Sequence, residues 1–256
     1  MNKFVKYLLF ALALGLFICM TALVRMQVRT HRHLTTCKNV EIIFKDTLNF
    51  VSEDDVRSYL RKDCPNFIGQ RIDSLRLHEI EKVLDSRSAI LSAQAWTADS
   101  TLFISIVQRE PVARMESSAW AFYIDDRGYI FPVQGDCGKR FPLIKGEIPL
   151  NEAPGYKGLP STEEGRAWTA KILDLLSYMR KNRWDSRIDC ISVGSGGRLT
   201  MVPAEGNERF IFGRPENASE KFGKINEYYK RIKPVTEDRH YKSVDVQYKG
   251  QIICRK

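Results

Sequence analysis

The sequence predicts an α+β protein: a single transmembrane helix near the N-terminus, followed by two α+β domains, the second with a mostly antiparallel sheet. Three observations predict this class. Residues 7–24 carry no charged side chain. Residues 37–110 show the order β-α-α-β-β, and residues 111–256 alternate short strand-like runs with two amphipathic helical patterns. We therefore expect one membrane anchor and two folded domains in a single chain.

The N-terminal apolar run reads YLLFALALGLFICMTALV from Tyr7 to Val24. A helix of that length spans about 27 Å, close to the thickness of the hydrocarbon core of a bilayer. A cleaved signal peptide is the alternative, but the run is long for one and no small-residue cleavage pattern follows it. We expect an uncleaved helix, preceded by a short cytoplasmic tail at residues 1–6 and followed by a linker at residues 25–36. Basic residues flank both ends of the run, so the positive-inside rule leaves its orientation open.

The composition indicates a folded body with a mildly basic surface. Hydrophobic residues make up 43% of the chain and charged residues 28%, with a net charge of +9. The charges alternate in sign along the chain, which is typical of a solvated surface and leaves open a contact with a membrane surface or a cell-wall polymer. No nucleic-acid-binding motif accompanies the positive charge, so nucleic acid is not an expected partner.

The cysteines and histidines do not indicate a metal site, a cofactor or a disulfide framework. The six cysteines are widely separated, and five of them, an odd number, lie outside the apolar run. His31, His33 and Cys37 cluster in the linker, but no fourth ligand lies near them. We expect most cysteines to act as small buried apolar side chains.

The first domain, at residues 37–110, begins with a β-prone run at Val40–Phe44. A helix is predicted from Ser52, because Glu53, Asp54 and Asp55 favour its first turn, and it ends around Cys64–Pro65. A second helix follows Asp73 or Ser74. The next segment predicts a hairpin that turns at residues 98–100 and returns along residues 101–107. On the returning strand three apolar side chains face one side, namely Leu102, Ile104 and Ile106.

The second domain, at residues 111–256, begins at Pro111, which lacks an N–H and suits the end of a strand ladder. Residues 125–128 predict a turn that needs a positive φ at Gly128. Residues 151–160 are expected to form a loop. A helix is then predicted with Ser161 and Glu164 as its capping box, and one face is apolar. The residues of that face are Trp168, Ile172, Leu175, Leu176 and Met179.

The remaining patterns of the second domain predict three strands, a helix and a final hairpin. The strands are expected at residues 188–193, 199–202 and 209–212, with a glycine-rich hairpin turn at residues 194–197. A helix at residues 215–233 is predicted to end at Pro234, with Phe222, Ile225, Tyr229 and Ile232 facing inward. The last hairpin is expected to pair residues 243–248 with residues 251–254, around a turn at Lys249–Gly250.

The order β-α-α-β-β behind an apolar anchor resembles a POTRA domain. Three further segments sharpen the resemblance: QREPVA at residues 108–113, YIDDRGYIF at residues 123–131 and FPLIKG at residues 141–146. In this order they resemble the bacterial cell-division family FtsQ/DivIB. The last strand pattern, with Val244, Val246 and Tyr248 alternating with polar residues, is also similar to that family. The resemblance spans the chain from the anchor to the last strand.

The resemblance implies a non-enzymatic divisome scaffold in the cytoplasmic (inner) membrane, single-pass, with most of the chain extracytoplasmic. Its implied partners are small bitopic coiled-coil proteins of the FtsB and FtsL type, other divisome membrane proteins and the bilayer itself. We expect a partner strand to add to a sheet edge near the C-terminus. The expected partner-binding residues are Val246, Tyr248, Gly250, Gln251, Ile252, Ile253 and Cys254.

Three alternatives to this interpretation stay open. The last strand could simply be an edge protected by Lys249, Arg255 and Lys256. A POTRA-bearing export or assembly chaperone would bind substrate strands instead. A tethered cell-wall hydrolase is the enzymatic alternative, but the sequence shows no nucleophile elbow, phosphate loop or metal-spaced pair, and its four histidines lie in unrelated contexts.

Overall fold

The structure is a computed structural model that describes residues 3–64, 67–133, 141–236 and 241–256, leaving aside the side chains of residues 3–9, 11, 27–34 and 236. Two compact units form within the chain. The first unit comprises Met1–Thr47 and Val51–Gln108, and the second comprises Leu48–Phe50 and Arg109–Lys256.

The first element is helix α1, Lys3–Leu34. It contains the predicted anchor at residues 7–24 and continues through most of the predicted linker. Its described side chains from residue 12 to residue 26 are all exposed. Among the described residues, no helix combines the length and the apolar content needed to cross a membrane. The side chains of His31 and His33 lie outside the described ones.

The first unit continues with two helices and three strands in the predicted order β-α-α-β-β. Their bounds are β1 Asn39–Phe44, α2 Glu53–Asp63, α3 Leu77–Asp85, β2 Ile90–Ala98 and β3 Thr101–Gln108, with a 3₁₀ turn at Ile72–Ser74 before α3. The strand order in the sheet is β1-β3-β2, with β1 parallel to β3 and β2 antiparallel to it. This arrangement confirms the sequence of elements expected for residues 37–110.

Local interactions explain why α2 begins where it does. The Ser52 hydroxyl oxygen accepts a hydrogen bond from Asp55 N–H, and the Asp55 carboxylate accepts one from Ser52 N–H, which forms a complete capping box. On the central strand β3, Leu102, Ile104 and Ile106 are fully buried, as their period of two predicts. The sequence therefore predicted both the buried face of β3 and the start of α2 correctly.

Where the structure describes it, the second unit contains nine strands and two α-helices. The strands are β4 Pro111–Glu116, β5 Ala121–Asp125, β6 Ile130–Pro132, β7 Leu143–Gly146, β8 Ile188–Gly194, β9 Arg198–Pro203, β10 Arg209–Gly213, β11 Ser243–Asp245 and β12 Ile253–Arg255. The helices are α4 Glu163–Lys181 and α5 Ala218–Glu227. The sheet order is β12-β11-β10-β9-β8-β7-β4-β5-β6.

The sheet of the second unit is mixed but mostly antiparallel. Five of its strand pairings are antiparallel. Three are parallel, namely β4 with β7, β7 with β8 and β10 with β11. Both helices contribute to one buried cluster with this sheet. Phe222 of α5 lies at its centre, with its ring 4.5 Å from that of Trp184 and 5.2 Å from that of Phe212 on β10.

A short segment between β1 and α2, Leu48–Phe50, belongs to the second unit. Both of its end residues are buried, and the Phe50 ring lies 5.2 Å from Tyr123 on β5 and 6.3 Å from Phe131 on β6. The second unit is therefore built from two separate stretches of sequence.

The turn after β5 has the conformation that the sequence predicts. Gly128 has a φ of +82°, and the buried Asp125 carboxylate accepts hydrogen bonds from the N–H groups of Arg127 and Tyr129. The same carboxylate forms an ion pair with Arg109, whose guanidinium carbon lies 3.8 Å from the centre of the Tyr129 ring. Asp125 therefore has a structural role in holding this turn.

Two details of the helices correct the sequence predictions. The N-cap of α4 is Thr162, whose hydroxyl oxygen accepts from Gly165 N–H, so the capping box of Ser161 and Glu164 is wrong. Ser161 is instead engaged with Glu152, whose carboxylate accepts from both its N–H and its hydroxyl. The predicted apolar face of α4 is buried as expected.

The helix predicted at residues 215–233 is also different in the structure. Its α-helical part is Ala218–Glu227, followed by a π turn at Tyr228–Ile232 and a 3₁₀ turn at Lys233–Thr236, so Pro234 lies inside the last turn and does not end a regular helix. The π turn places Tyr228 in the core, where burial raises its pKa to about 12.

The described cysteines are all free thiols. Cys37 and Cys190 are buried, Cys64 and Cys254 are half-buried, and Cys19 is exposed. Burial raises the pKa of the thiols at positions 37, 64, 190 and 254. Cys137 lies outside the described residues.

Candidate partner-binding edge

The nine-stranded sheet ends on one side at β12, the last strand of the chain. β12 is antiparallel to β11, with Val244 opposite Cys254 and Asp245 opposite Ile253. Within the described residues, β12 has no strand neighbour on its other side. An edge strand presents alternate N–H and C=O groups away from its neighbour. The groups on the outer side of β12 are therefore of the kind with which a strand of another chain can pair.

The opposite end of the same sheet, at β6, is covered. Ile130 N–H donates to the Gly158 carbonyl oxygen at 2.8 Å, and Gly158 N–H donates to the Ile130 carbonyl oxygen at 3.0 Å. The strand ends at Pro132, which has no N–H to offer. The chain itself therefore occupies the ladder position that a partner strand would need at this edge.

Side chains bond several backbone groups of the two edge strands of the first unit's sheet. On β2, Ala93 N–H donates to the Asp85 carboxylate at 2.7 Å and Ala95 N–H donates to the Glu81 carboxylate at 2.9 Å. On β1, the Val40 carbonyl accepts a hydrogen bond from Arg57 at 3.2 Å. These contacts provide hydrogen-bond partners for backbone groups that could otherwise pair with a strand of another molecule.

The predicted strand at residues 243–248 is shorter in the structure, which is a correction. β11 ends at Asp245, because the buried Asp245 carboxylate accepts hydrogen bonds from Gln247 N–H at 3.1 Å and from its side-chain amide at 2.9 Å. Such a local side-chain contact competes with ladder formation. The following residue, Val246, still bonds β10, the parallel neighbour of β11: its N–H donates to the Ile211 carbonyl at 3.0 Å.

The structure separates the predicted partner-binding residues into an inner and an outer group. Val246 belongs to the inner group, because its side chain is fully buried and both of its backbone polar groups have partners within the chain. Tyr248 is outside, with 49% of its surface exposed. The turn at Gly250, with a φ of +69°, is also exposed.

The remaining predicted residues lead into β12 or form it. Gln251 is exposed, whereas Ile252, Ile253 and Cys254 are half-buried. Ile252 and Cys254 pack against the core cluster of the second unit. The side chains of Ile252 and Cys254 therefore fix the C-terminal segment to its own domain, and among the described residues no strand pairs with the outer side of β12.

Basic side chains surround this edge. Arg209, Ser243 and Arg255 stand in one row across β10, β11 and β12. Both arginines are exposed, as are Lys249 and Lys256. Charged side chains at an edge discourage unspecific pairing with other sheets, so the protective interpretation of these residues agrees with their exposure.

One functional candidate was missed by sequence reasoning. Lys224 of α5 donates to the carbonyl oxygens of Val246 and Tyr248, at 3.0 and 2.5 Å. The sequence signal was only an i,i+4 pair with Glu220, which predicts an exposed ion pair on a helix. Nothing in that spacing indicates backbone carbonyls more than twenty residues further along the chain.

Other charged and concave features of the second unit have structural explanations or lack a convergent site. Glu208 is buried against Lys233 at 2.8 Å, and the Lys221 ammonium donates to the Arg214 carbonyl at 2.7 Å. A cavity of about 820 Å³ beside α4 has a largely exposed polar rim that includes Asp174 and Asp185. Across the described residues, no group of three or more His, Cys, Asp or Glu side chains could hold a metal ion.

Two family models match the chain. One, described as FtsQ/DivIB, C-terminal related, matches residues 110–255. The other, described as a POTRA-like domain, matches residues 35–107. The first match covers more than half of the chain and includes the whole β12 edge. A comparison with curated proteins gives no match.

Proposed function

The chain belongs to the FtsQ/DivIB C-terminal related family, and from that premise we propose that it is a divisome scaffold that recruits other septum-assembly proteins. The family and the POTRA-like domain together indicate a cell-division scaffold without an enzymatic role. The observation that carries the finer proposal is the contrast between two ends of one sheet: among the described residues no strand pairs with the outer side of β12, whereas Gly158 pairs with β6. In the first unit, carboxylates bond two N–H groups of the edge strand β2.

The mechanism we propose is strand addition. A partner segment in extended conformation pairs with the outer N–H and C=O groups of Ile253–Arg255, and the exposed Tyr248 contacts its side chains. The carboxylates of Asp85 and Glu81 make the same event unfavourable at β2, because a partner strand would have to displace them. This contrast favours a scaffold that binds through the second unit over a chaperone that binds substrate strands at the POTRA-like sheet.

The proposed location is the cytoplasmic membrane, with α1 as a single anchor and both units on the extracytoplasmic side. The uncharged run Tyr7–Val24 supports the anchor, as do the exposed apolar side chains of α1, such as Phe10, Phe17 and Leu23. The proposed partners are bitopic coiled-coil proteins of the FtsB and FtsL type, which would share the same membrane.

Matched substitutions in β12 test the proposal. Consecutive strand residues point their N–H groups to opposite sides, so either Ile253 or Cys254 directs its N–H outward. Ile253→Pro and Cys254→Pro remove these donors one at a time, and Ile253→Val and Cys254→Ser are the controls that keep the N–H. Each variant is expressed at native level, and the co-purified membrane proteins are quantified.

The expected result is a loss of the bitopic partners with the proline variant at the outward position, while its thermal unfolding stays close to that of the control. The Val and Ser variants keep the partners. If both proline variants retain the FtsB- and FtsL-type proteins, strand addition at β12 is wrong. Blocked septation after depletion tests the divisome role separately.

A further inference from the structure

A lysine and a glutamate on α5 hold the connection between β11 and β12. Besides the carbonyl oxygens of Val246 and Tyr248, the Lys224 ammonium nitrogen lies 3.0 Å from a carboxylate oxygen of Glu220. An ammonium group has three N–H donors, and here each of them has an acceptor. All three N–H donors of Lys224 therefore have acceptors within the chain.

Glu220 makes a further contact with the same connection. The Lys224 ammonium lowers the pKa of the Glu220 carboxyl, desolvation opposes this effect, and the Gly250 N–H lowers that pKa further. The carbonyl groups at positions 246 and 248 are thus bound by Lys224, and Glu220 fixes the position of the Lys224 ammonium.

The burial of Lys224 distinguishes this pair from an ordinary surface ion pair. Only 11% of the Lys224 side chain is exposed, although its partner Glu220 is 42% exposed. Lys171 and Glu216 form a comparable pair at 2.7 Å, but both of their side chains are about half exposed. Exposed pairs contribute little, whereas hydrogen bonds from a charged donor to backbone carbonyls contribute more.

We propose that Lys224 and Glu220 are positioning residues that hold β12 in the conformation that a partner strand recognises. This inference rests on the proposed function, because it takes β12 as the binding edge. The connection at residues 246–252 has no strand of its own, and β12 is only three residues long. A strand this short, paired on one side, frays unless the chain that leads into it is fixed.

The test uses the full chain, purified from membranes in detergent, as wild type, Lys224→Met, Lys224→Arg and Lys171→Met. Two quantities are measured: hydrogen exchange of the amides at residues 250–255, and capture of a co-expressed FtsB-type partner. Methionine keeps the length of the side chain but removes the charge and all donors. Arginine restores a cation with several donors, and Lys171→Met controls for the loss of a lysine from a surface pair.

Lys224→Met should raise exchange at residues 250–255 about tenfold and weaken partner capture by a similar factor, because the connection opens locally while the rest of the second unit stays folded. Lys224→Arg should restore most of both, and Lys171→Met should change neither. Unchanged exchange in Lys224→Met contradicts the inference, and so does raised exchange with intact capture. If the proline variants of β12 also keep the partner, the proposed function fails, while the exchange measurement still reports whether Lys224 holds the connection.

Discussion

The two ends of the nine-stranded sheet are built in opposite ways. At β6 the chain folds back, and Gly158 occupies the ladder position beside Ile130 through two backbone hydrogen bonds. At β12 the ladder stops with the last strand of the chain, and the covering elements that α3 supplies in the first unit are missing within the described residues. The two ends therefore limit unspecific pairing by different means: the chain pairs with β6, whereas exposed basic side chains surround β12.

The two ends also differ in how they are held. The β6 end contains the buried ion pair of Arg109 and Asp125, which fixes the turn between β5 and β6. The β12 end is held by Lys224 and Glu220, whose carboxylate lies at the surface. The β6 turn is thus held by a buried carboxylate, whereas the segment that leads into β12 is held by a partly buried lysine.

The largest expected effect is at the closed end. Asp125→Ala leaves the Arg109 guanidinium buried without its carboxylate and removes the acceptor of two backbone N–H groups, which should cost about 3–5 kcal/mol of unfolding free energy. Chemical denaturation monitored by tryptophan fluorescence measures the loss. Asp126→Ala is the matched control, because Asp126 is exposed and should change stability by less than about 0.5 kcal/mol. Equal effects of the two substitutions would contradict the structural role of Asp125.

The second prediction removes the cover at β6. Gly158→Pro deletes the N–H that bonds Ile130 and cannot adopt the φ of +144°, so it should destabilise the second unit by about 3 kcal/mol. The newly free edge should also cause concentration-dependent association, measured by analytical ultracentrifugation. Gly155→Ala controls for backbone strain alone, because Gly155 has a φ of +83° and an added Cβ meets no neighbour within 4 Å; it should cost about 1–2 kcal/mol without causing association. A Gly158→Pro variant that stays monomeric would show that the bridge does not protect this edge.

The third prediction opens β2 in the first unit. The double variant Asp85→Asn, Glu81→Gln keeps the shape of both side chains but weakens the two hydrogen bonds from β2, for a loss of about 1–2 kcal/mol in total. Hydrogen exchange at Ala93 and Ala95 should accelerate. Glu79→Gln on the same helix breaks only an exposed pair with Arg76 and should leave those amides protected. Unchanged exchange at β2 in the double variant would show that these carboxylates do not cap the edge.

The smallest expected loss of unfolding free energy is at the N-cap of α2, a site away from the sheet edges. Ser52→Ala removes the N-cap of α2 and should cost about 1 kcal/mol. The hydrogen bonds from the Ser52 hydroxyl and then from its N–H lower the pKa of Asp55 below 3.8. The contribution of a lowered carboxylate pKa is complete at neutral pH and is lost as the pH falls through the folded pKa, so the stability difference between wild type and variant should narrow in acid. Circular dichroism melts at neutral and at acid pH measure this; a gap that stays constant would contradict the coupling.

Much of the fold was predictable because local patterns determine it. The buried triplet Leu102, Ile104 and Ile106 follows from a period of two, and the apolar face of α4 follows from the helical period. The shift of the N-cap from Ser161 to Thr162 was not predictable, because Glu152, nine residues earlier, engages Ser161. Cap position depends here on a tertiary contact rather than on residue type.

The candidate edge was only partly predictable for the same reason. The sequence predicted a strand near the C-terminus, but its length depends on the Asp245 carboxylate, which accepts hydrogen bonds from Gln247. Whether an edge is open depends on groups distant in sequence, such as Gly158 beside Ile130. Single-sequence patterns contain no information about such pairings, so the covered edges became visible only in the structure.

The half-buried and buried thiols of the two units have a chemical consequence. Attack on a disulfide or an oxidant requires the thiolate, and burial raises the pKa of Cys37, Cys64, Cys190 and Cys254 above the ordinary 9.0. At neutral pH these sulfurs are therefore protonated and poorly nucleophilic while the chain is folded. Alkylation of these cysteines thus reports unfolding, and native molecules resist mixed disulfides under oxidising conditions.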